Sequence, residues 1–350
     1  MNLTLLREIL SLYGLKETEL TIKPLGSGLI HQTYLVTAES KYVLQKINHA
    51  IFKNPEAIAR NIDRAGTYLS KNYPDYIFLT PLRTQKGESI LLLNGVYWRL
   101  TPFAENTYSP DLLEKTEQAY EAAKAFGTLI NNLNGIPLVG FSETIKDFHN
   151  LSFRYEQFEE AIQNGSLERK KLSKELIQFY KEQNRLVNIF NKLKSENLIP
   201  LRVQHHDTKI NNVLFDQKSH KAVAVCDLDT LMPGYFLSDL GDMIRTFTSA
   251  ENEESTKWEA IRIRPEYLNA LLAGYLSKMD QSLTATEKEY LLYAGEFMIY
   301  MQGLRFLSDF LMGDIYYPIK HPLNNFNRAK NQMLLLQDLQ RIKPDFEKTF

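Results

Sequence analysis

The arrangement of hydrophobic and polar positions changes character about a third of the way along the chain. Up to residue 104, apolar and polar residues alternate in short runs rich in Thr, Tyr, Val and Ile, such as LTIKPL, LIHQTYLVTA and SKYVLQKIN. This alternation is typical of antiparallel strands, and ESILLLNG and GVYWRLTPF are predicted to form a hairpin around Asn94 and Gly95. One long helix is predicted at NPEAIARNIDRAGTYLSKNY, with Asn54 as its N-cap and Pro55 in its first turn.

Beyond residue 104 the apolar residues recur every three to four positions. DLLEKTEQAYEAAKAFGTLINNLN and LERKKLSKELIQFYKEQNRLVNIFNKLKSEN are each predicted to form one long helix. A strand-rich block, LRVQHHDTKINNVLFDQKSHKAVAVCDLDT, interrupts the helical pattern. We therefore predict an α+β, bilobal chain with a small antiparallel-sheet N-lobe over residues 1–104 and a larger, mostly helical C-lobe over residues 105–350.

Composition narrows the classes of partner. The chain has 41 basic and 42 acidic residues, so its net charge of −1 gives no overall attraction to nucleic acid or to an anionic membrane. The single cysteine, Cys226, excludes an internal disulfide and a thiolate metal cluster. No apolar stretch approaches the roughly 18–20 residues of a membrane span, and the N-terminus has the pattern of an amphipathic helix rather than a secretory signal. We expect a cytoplasmic monomer that binds neither nucleic acid nor membranes.

The stretch HHDTKINN carries the most chemical information. His205, Asp207 and Asn212 form the spacing His-x-Asp-x-x-x-x-Asn, and an apolar strand further on ends at Asp227. This spacing resembles the catalytic loop and metal site of the protein-kinase-like fold. In that arrangement Asp207 accepts a proton from an attacking hydroxyl, while Asn212 and Asp227 bind the Mg²⁺ that holds the nucleotide phosphates.

Each of these residues also has a plainer interpretation. A single histidine such as His205 is by default a core or loop residue, and Asp207 and Asn212 are common in polar turns. Gly26, Ser27 and Gly28 lie between two predicted strands, as a loop covering phosphates would, yet alone they indicate only a hairpin turn. The agreement of all these features in one order along the chain favours the catalytic interpretation.

With these motifs in place, the chain resembles the aminoglycoside-phosphotransferase-type small-molecule kinases over nearly its whole length. The residues that carry the resemblance are YVLQ at 42–45, RNID at 60–63, the stretch 205–216, DLDTLMPG at 227–234, DLGDMIR at 239–245, GLRFLSD at 303–309 and GDIY at 313–316. The first kinase markers are shared by the whole superfamily. DLDTLMPG, GLRFLSD and GDIY are narrower, and they resemble the sugar 1-kinases of this family.

The resemblance implies Mg²⁺-dependent transfer of the γ-phosphoryl group of ATP to the anomeric hydroxyl of N-acetylglucosamine or N-acetylgalactosamine. It makes Asp207 the catalytic base and Asn212 and Asp227 the magnesium ligands. The residues assigned to the nucleotide are Gly26, Ser27, Gly28, Gln45, Phe103 and Glu105. Phosphoryl transfer has a loose transition state, so catalysis is mainly positioning and charge neutralisation.

The chain departs from the family pattern at the usual nucleotide-binding lysine. If YVLQ is aligned with that strand, the position is occupied by Gln45, and Lys46 points to the opposite face of the strand. Lys209, two residues after the presumed base, is a candidate to neutralise the transferred phosphoryl group; the alternative is a surface lysine. Asp63 stands where a helix acid would pair with the strand lysine, and without that lysine a structural role is favoured.

Sugar recognition is assigned to residues further along the chain. Arg305 and Asp309 are four residues apart, on one face of a predicted helix, and with Tyr316 they would form a polar sugar clamp; the alternative is an ion pair anchoring packed helices. Asp229 is placed to bind a second metal or a sugar hydroxyl, or else to cap the following turn. Asp239 and Asp242 are expected to brace the catalytic loop.

Two other functions stay open from the sequence. A kinase of the same fold acting on an aminoglycoside, homoserine, choline or methylthioribose would carry the same motifs, and an acid-rich pocket would favour a cationic substrate among these. Gln45 also leaves room for a pseudokinase that binds nucleotide or sugar without turnover, although Asp207, Asn212 and Asp227 are all present.

Overall fold

The computed structural model describes residues 3–15, 20–25 and 31–348. The chain forms two compact units, each built from three stretches of sequence. The first unit comprises Met1–Ser109, Asn132–Lys146 and Asn212–Pro233, and the second comprises Pro110–Asn131, Asp147–Asn211 and Gly234–Phe350. The short strand-rich block after residue 211 thus belongs to the same unit as the N-terminal sheet.

In chain order the strands are β1 (Thr21–Pro24), β2 (Gln32–Thr37), β3 (Lys41–Lys46), β4 (Leu91–Leu93), β5 (Val96–Pro102), β6 (Thr107–Tyr108), β7 (Arg202–Gln204), β8 (Val213–Asp216), β9 (Ala222–Val225) and β10 (Met232–Gly234). The helices are α1 (Leu3–Leu12), α2 (Pro55–Asn72), α3 (Thr116–Leu133), α4 (Leu151–Asn164), α5 (Leu167–Leu172), α6 (Lys174–Glu182), α7 (Arg185–Ser195), α8 (Phe236–Thr248), α9 (Pro265–Met279), α10 (Ala285–Glu289), α11 (Leu291–Met312) and α12 (Asn324–Glu347).

The first unit is organised around an antiparallel sheet with strand order β1-β2-β3-β5-β4. The predicted hairpin is confirmed: β4 and β5 meet at Asn94 and Gly95, both with left-handed φ angles of 52° and 75°. Such angles match the twist of a tight hairpin, and asparagine and glycine adopt them most readily. Helix α1 covers one face of the sheet, where Leu6 and Ile9 pack with Leu44 in a shared apolar core.

Two further elements complete the first unit. Helix α2 begins as predicted, because the Asn54 side chain accepts a hydrogen bond from the Ala57 N–H at 3.0 Å. A second sheet has the order β6-β8-β9, and its β8–β9 hairpin lies between the two presumed metal ligands in the sequence.

The second unit is helical, with α11 packed against α12, α8 and α4. The prediction of one long helix over residues 167–197 is wrong, because the segment forms α5, α6 and α7, separated near Ser173 and Asn184. The breaks turn separate apolar faces inward, with Tyr180 buried on α6 and Phe190 on α7. Periodicity alone does not reveal such breaks, since each short helix keeps the same spacing of apolar residues.

The predicted fold class is confirmed: an antiparallel sheet dominates the N-terminal region and helices dominate the C-terminal region. No helix within the described ranges has the length and hydrophobicity needed to cross a bilayer.

Gly241 is a position where the helical packing tolerates no side chain. A Cβ atom there would fall inside contact distance of the Ala294 carbonyl oxygen, where α8 crosses α11. The added methyl group would meet the backbone of the facing helix, which cannot move aside as a flexible side chain could. Gly241→Ala is therefore expected to lower the free energy of unfolding by about 1–3 kcal/mol or more. Urea denaturation of this variant beside Asn188→Ala, an exposed helix position, checks the expectation, and equal stability of the two variants would contradict it.

Candidate active site

The stretch from His205 to Thr208 is held by two aspartates of α8. The backbone N–H groups of His205 and His206 each donate to the Asp239 carboxylate at 2.7 Å, and the Thr208 N–H donates to Asp242 at 3.1 Å. The expected bracing role of Asp239 and Asp242 is therefore confirmed. His206 has a left-handed φ of 64°, a conformation that a non-glycine residue adopts only where its surroundings impose it.

Asp207 and Lys209 form an ion pair within this loop. The Lys209 Nζ lies 2.9 Å from the Asp207 Oδ1, and the Asp207 side chain is about a quarter exposed. The adjacent Asp207 carboxylate raises the pKa of Lys209 above its ordinary range. The presumed base is thus accessible to a ligand, and the Lys209 cation lies beside it.

Asp239 is expected to make the free energy of unfolding depend on pH. Its complete burial raises its pKa from 3.8 to about 6, although His205 and the two N–H donors oppose this shift. Folding therefore favours the protonated acid, and the stabilisation from this group is complete below about pH 4 and disappears as the pH rises through about 6. Asp239→Asn removes the titration. Relative to this variant, the wild type should gain roughly 3 kcal/mol of stability between pH 7 and pH 4. Urea unfolding at both pH values measures the difference, and a constant difference would contradict the prediction.

The two presumed metal ligands are brought together in the first unit by the β8–β9 pairing. Val213 pairs with Val225, and the Cys226 N–H donates to the Asn212 carbonyl at 2.9 Å. Asn212 and Asp227 therefore flank the same end of the hairpin. Asp227 has a left-handed φ of 58°, which turns the chain sharply at the point where its exposed carboxylate stands.

A cavity of about 290 Å³ lies beside these residues within the first unit; we call it the sheet cavity. Its apolar wall includes Val43, Ile62, Leu79, Phe103, Leu214 and Leu228, and its polar lining includes Gln45, Arg99, Asn212 and Asp227. The predicted nucleotide residues Gln45 and Phe103 thus line it. Glu105 instead forms a surface salt bridge with Lys41 at 3.5 Å. Gly26, Ser27 and Gly28 lie outside the described residues.

The sheet cavity has the chemistry of a metal–nucleotide site. An apolar wall suits a base, and oxygen donors from Asn212 and Asp227 are the kind that Mg²⁺ prefers. Within the described ranges, no group of three or more His, Cys, Asp or Glu residues could hold a metal ion.

Asp229, in the first unit, is part of a buried ion pair that sequence analysis did not identify. One carboxylate oxygen contacts the Arg99 guanidinium, and the other lies 2.6 Å from the His31 Nε2. Although burial opposes ionisation, the charges and hydrogen bonds of Arg99 and His31 hold the pKa of Asp229 below its usual range. Arg99 stands out in the sequence only as a charge within the apolar strand GVYWRLTPF. Asp63, the helix acid, pairs instead with Arg83 at 3.2 Å, as its expected structural role requires.

The three residues assigned to a sugar clamp line one cavity of about 340 Å³ in the second unit; we call it the helical cavity. Arg305 stacks over the rings of Phe148 and Tyr316, at 5.3 and 5.8 Å from their centroids. The alternative role for Arg305 and Asp309, a helix-anchoring ion pair, is absent: among the described residues Arg305 forms no salt bridge, and its hydrogen bond goes to Gln302.

Asp309 organises the loop that carries the tyrosine. Its carboxylate accepts hydrogen bonds from the backbone N–H groups of Ile315, Tyr316 and Tyr317 at 2.8–2.9 Å, and from the Asn325 amide at 3.0 Å. Asp309 is buried, and these four bonds fix the start of the loop after α11. Tyr316 is thereby held at the cavity with 61% of its surface exposed.

Three further residues of the helical cavity escaped sequence analysis. Burial and the neighbouring Arg305 lower the pKa of Arg154 to about 10, so two guanidinium groups repel each other here. The Ser308 and Tyr317 hydroxyls are buried with no hydrogen-bond partner among the described residues. Ser308 was identifiable as an α11 neighbour of Arg305 and Asp309, whereas Arg154 comes from a distant helix and carried no sequence signal.

A row of aromatic side chains connects this cavity with the catalytic loop inside the second unit. The ring of His206, beside Asp207, lies 5.4 Å from that of His149, which stacks on Phe148 at 4.3 Å. Phe148 in turn contacts Arg305. Burial lowers the pKa of His149 well below its ordinary value, so the row carries no charge of its own at that ring.

Comparison with known proteins identifies the family and the fold of the chain. Residues 21–286 match the model of the phosphotransferase enzyme family. Among solved structures, a microcompartment-associated aminopropanol kinase is 15% identical, with 98% of both chains covered and a TM-score of 0.67. The amicoumacin kinase solved with AMP-PNP, Ca²⁺ and Ami is 13% identical, with 97% of both chains covered and a TM-score of 0.65. A choline kinase from Cryptosporidium parvum is 15% identical, covers 94% of this chain and 92% of its own, and has a TM-score of 0.57. At these identities the structures establish a shared fold.

Proposed function

The chain belongs to the phosphotransferase enzyme family and is a small-molecule phosphotransferase, and on that premise we propose that it transfers the γ-phosphoryl group of ATP to the anomeric hydroxyl of an N-acetylhexosamine. The product is then the sugar 1-phosphate and ADP. The observation that carries the choice of acceptor is the polar lining of the helical cavity.

That lining suits a neutral, polyhydroxylated ligand. Arg154 and Arg305 offer donors that no carboxylate among the described residues neutralises through a salt bridge, and the Ser308 and Tyr317 hydroxyls still need partners. A sugar supplies acceptors and donors to all of them. The exposed ring of Tyr316 provides a flat surface against which a pyranose can pack.

Cationic acceptors fit this lining less well. Two carboxylates line the cavity, and Asp309 already accepts four hydrogen bonds, while Glu160 is exposed. Two guanidinium groups would repel an ammonium group placed between them. An aminoglycoside, choline or aminopropanol acceptor requires the opposite balance of charge.

The loop chemistry fits phosphoryl transfer. Asp207 would accept the proton of the attacking hydroxyl, because its carboxylate is partly exposed and its loop is fixed by Asp239 and Asp242. Lys209 keeps a positive charge beside it, where it can neutralise charge on the oxygens of the transferred phosphoryl group. Asn212 and Asp227 would hold Mg²⁺, which neutralises charge on the nucleotide phosphates when bound. The row of His206, His149 and Phe148 connects the catalytic loop with the helical cavity.

An ATP-consumption assay over a panel of acceptors tests the proposal. N-acetylglucosamine or N-acetylgalactosamine with Mg²⁺ is expected to give turnover, and choline, ethanolamine, aminopropanol and aminoglycosides much less. Turnover only with a cationic alcohol would overturn the acceptor and leave the family membership intact. Absence of turnover with every acceptor, in a folded protein that binds ATP, would favour the pseudokinase alternative.

A further inference from the structure

The strand position that normally carries the nucleotide-binding lysine holds a neutral side chain here. Gln45 lies on β3, lines the sheet cavity and cannot neutralise a phosphate. The register of the sheet places Arg99 of β5 directly opposite Gln45, so both side chains point to the same face. Arg99 lines the same cavity as the presumed metal ligand Asp227.

The Arg99 guanidinium is held in a fixed orientation. The Arg99 Nε and Nη2 both donate hydrogen bonds to the Gln45 Oε1, at 3.2 and 2.7 Å. The Arg99 Nη1 donates to the Asp229 Oδ1. A guanidinium has five N–H hydrogens. These three bonds leave one hydrogen on each Nη nitrogen without a partner among the described residues, and such hydrogens can donate to phosphate oxygens.

Asp229 is itself fixed from its other side. The His31 Nδ1 accepts a hydrogen bond from the Asn48 N–H at 3.0 Å, so the Nε2 carries the proton that is donated to Asp229. The Asp229 carboxylate supplies the negative charge that balances Arg99. Asp229 follows Asp227 by two residues, so this ion pair also ties the guanidinium to the turn that carries the metal ligand.

We propose that Arg99 is the cation that binds the nucleotide phosphates in this protein, with Gln45 and Asp229 as its positioning residues. This inference rests on the proposed use of ATP and concerns the nucleotide alone. The cation comes from β5 instead of β3, and its acidic partner comes from the turn after β9 instead of helix α2, whose Asp63 is paired with Arg83.

A purely structural ion pair would not require this geometry. Burying a charged pair in a sheet costs desolvation, and an apolar pair of similar volume often stabilises a fold equally well. The side chains of Arg99 and Asp229 are 6% and 2% exposed, yet Arg99 is among the residues that line the cavity, together with Asn212 and Asp227. A ligand with anionic oxygens accounts for a cation at that wall.

Two binding measurements separate the contribution of the phosphates from that of the base. ADP affinity is measured by calorimetric titration at fixed Mg²⁺, and the affinity for adenosine, which lacks phosphates, is measured by its competition with ADP. Arg99→Gln is expected to weaken ADP binding by about tenfold or more and to change adenosine binding less than about twofold. The exchange variant Gln45→Arg with Arg99→Gln keeps the composition and net charge and returns the cation to β3. It should recover most of the lost ADP affinity. Arg83→Gln, an exposed arginine of the same unit, should bind ADP like the wild type.

The controls distinguish the possible failures. ADP affinity of folded Arg99→Gln within twofold of the wild type would overturn the proposal, and so would equal losses for ADP and adenosine, since these indicate a structural role. If Arg99→Gln does not fold, the exchange variant decides: recovered folding without recovered ADP affinity contradicts the proposal. A wild-type protein that binds no ADP would refute the ATP-dependent function itself. Normal ADP binding without sugar turnover would refute only the acceptor.

Discussion

Asp207→Asn is expected to lower kcat by about 10²–10⁴-fold, the range that general-base catalysis contributes. The amide keeps the shape of the carboxylate and the backbone contacts of the loop, but it cannot accept the proton of the attacking hydroxyl. It also removes the negative charge that holds Lys209 at 2.9 Å. Steady-state kinetics at saturating ATP and N-acetylhexosamine measure the loss. Calorimetry should show ADP affinity within a few-fold of the wild type, because the sheet cavity is unchanged.

A matched substitution separates chemistry from general damage. Asp280→Asn removes a carboxylate from an exposed salt bridge with Lys288, and we expect wild-type kcat from it. Asp207→Asn retaining more than about a tenth of wild-type kcat would exclude Asp207 as the base, since loss of proton acceptance alone exceeds that factor.

Asp227→Asn is expected to have the second-largest effect, through the metal. Replacing a carboxylate ligand by an amide weakens Mg²⁺ binding, and metal stabilisation of a phosphoryl transition state amounts to several kcal/mol, or about 10²-fold or more in rate. The left-handed φ of 58° favours Asn as the replacement, because asparagine tolerates this conformation. Activity measured against Mg²⁺ concentration should show a higher requirement for the ion, with partial recovery at high concentration.

A carboxylate at the opposite end of the β8–β9 pairing provides the comparison. Asp216 accepts hydrogen bonds from Ser219 in the hairpin turn, far along the strands from Asp227. Asp216→Asn should therefore leave the Mg²⁺ requirement unchanged. An unchanged requirement in Asp227→Asn as well would show that Asp227 does not bind the catalytic metal.

The catalytic loop was predictable because its members are close in sequence. His205, Asp207 and Asn212 fall in one short stretch, and Asp227 comes two residues after β9, the second strand beyond it, so local spacing alone indicates their chemistry. The helix start at Asn54 and the hairpin at Asn94 and Gly95 were predictable for the same reason, since capping and tight turns depend on neighbouring residues.

Features that depend on contacts between residues far apart in the chain could not be predicted from the sequence. Arg99 contacts Gln45 across 54 residues of chain, and only the register of β3 against β5 brings the two side chains together. Arg154 reaches the helical cavity from α4, and the breaks between α5, α6 and α7 depend on what each helix packs against. Such residues can be identified only from the tertiary structure, which shows which charged and hydrogen-bonding groups line the same cavity.

The most direct test of the central claim is the position of the phosphate in the product. The protein is incubated with ATP, Mg²⁺ and N-acetylglucosamine or N-acetylgalactosamine, and the product is examined by ³¹P NMR with proton coupling. The account predicts a phosphate resonance coupled to the anomeric proton H-1, formed together with ADP. A phosphate coupled to protons at another carbon, or turnover of a cationic alcohol with none of either sugar, would contradict it.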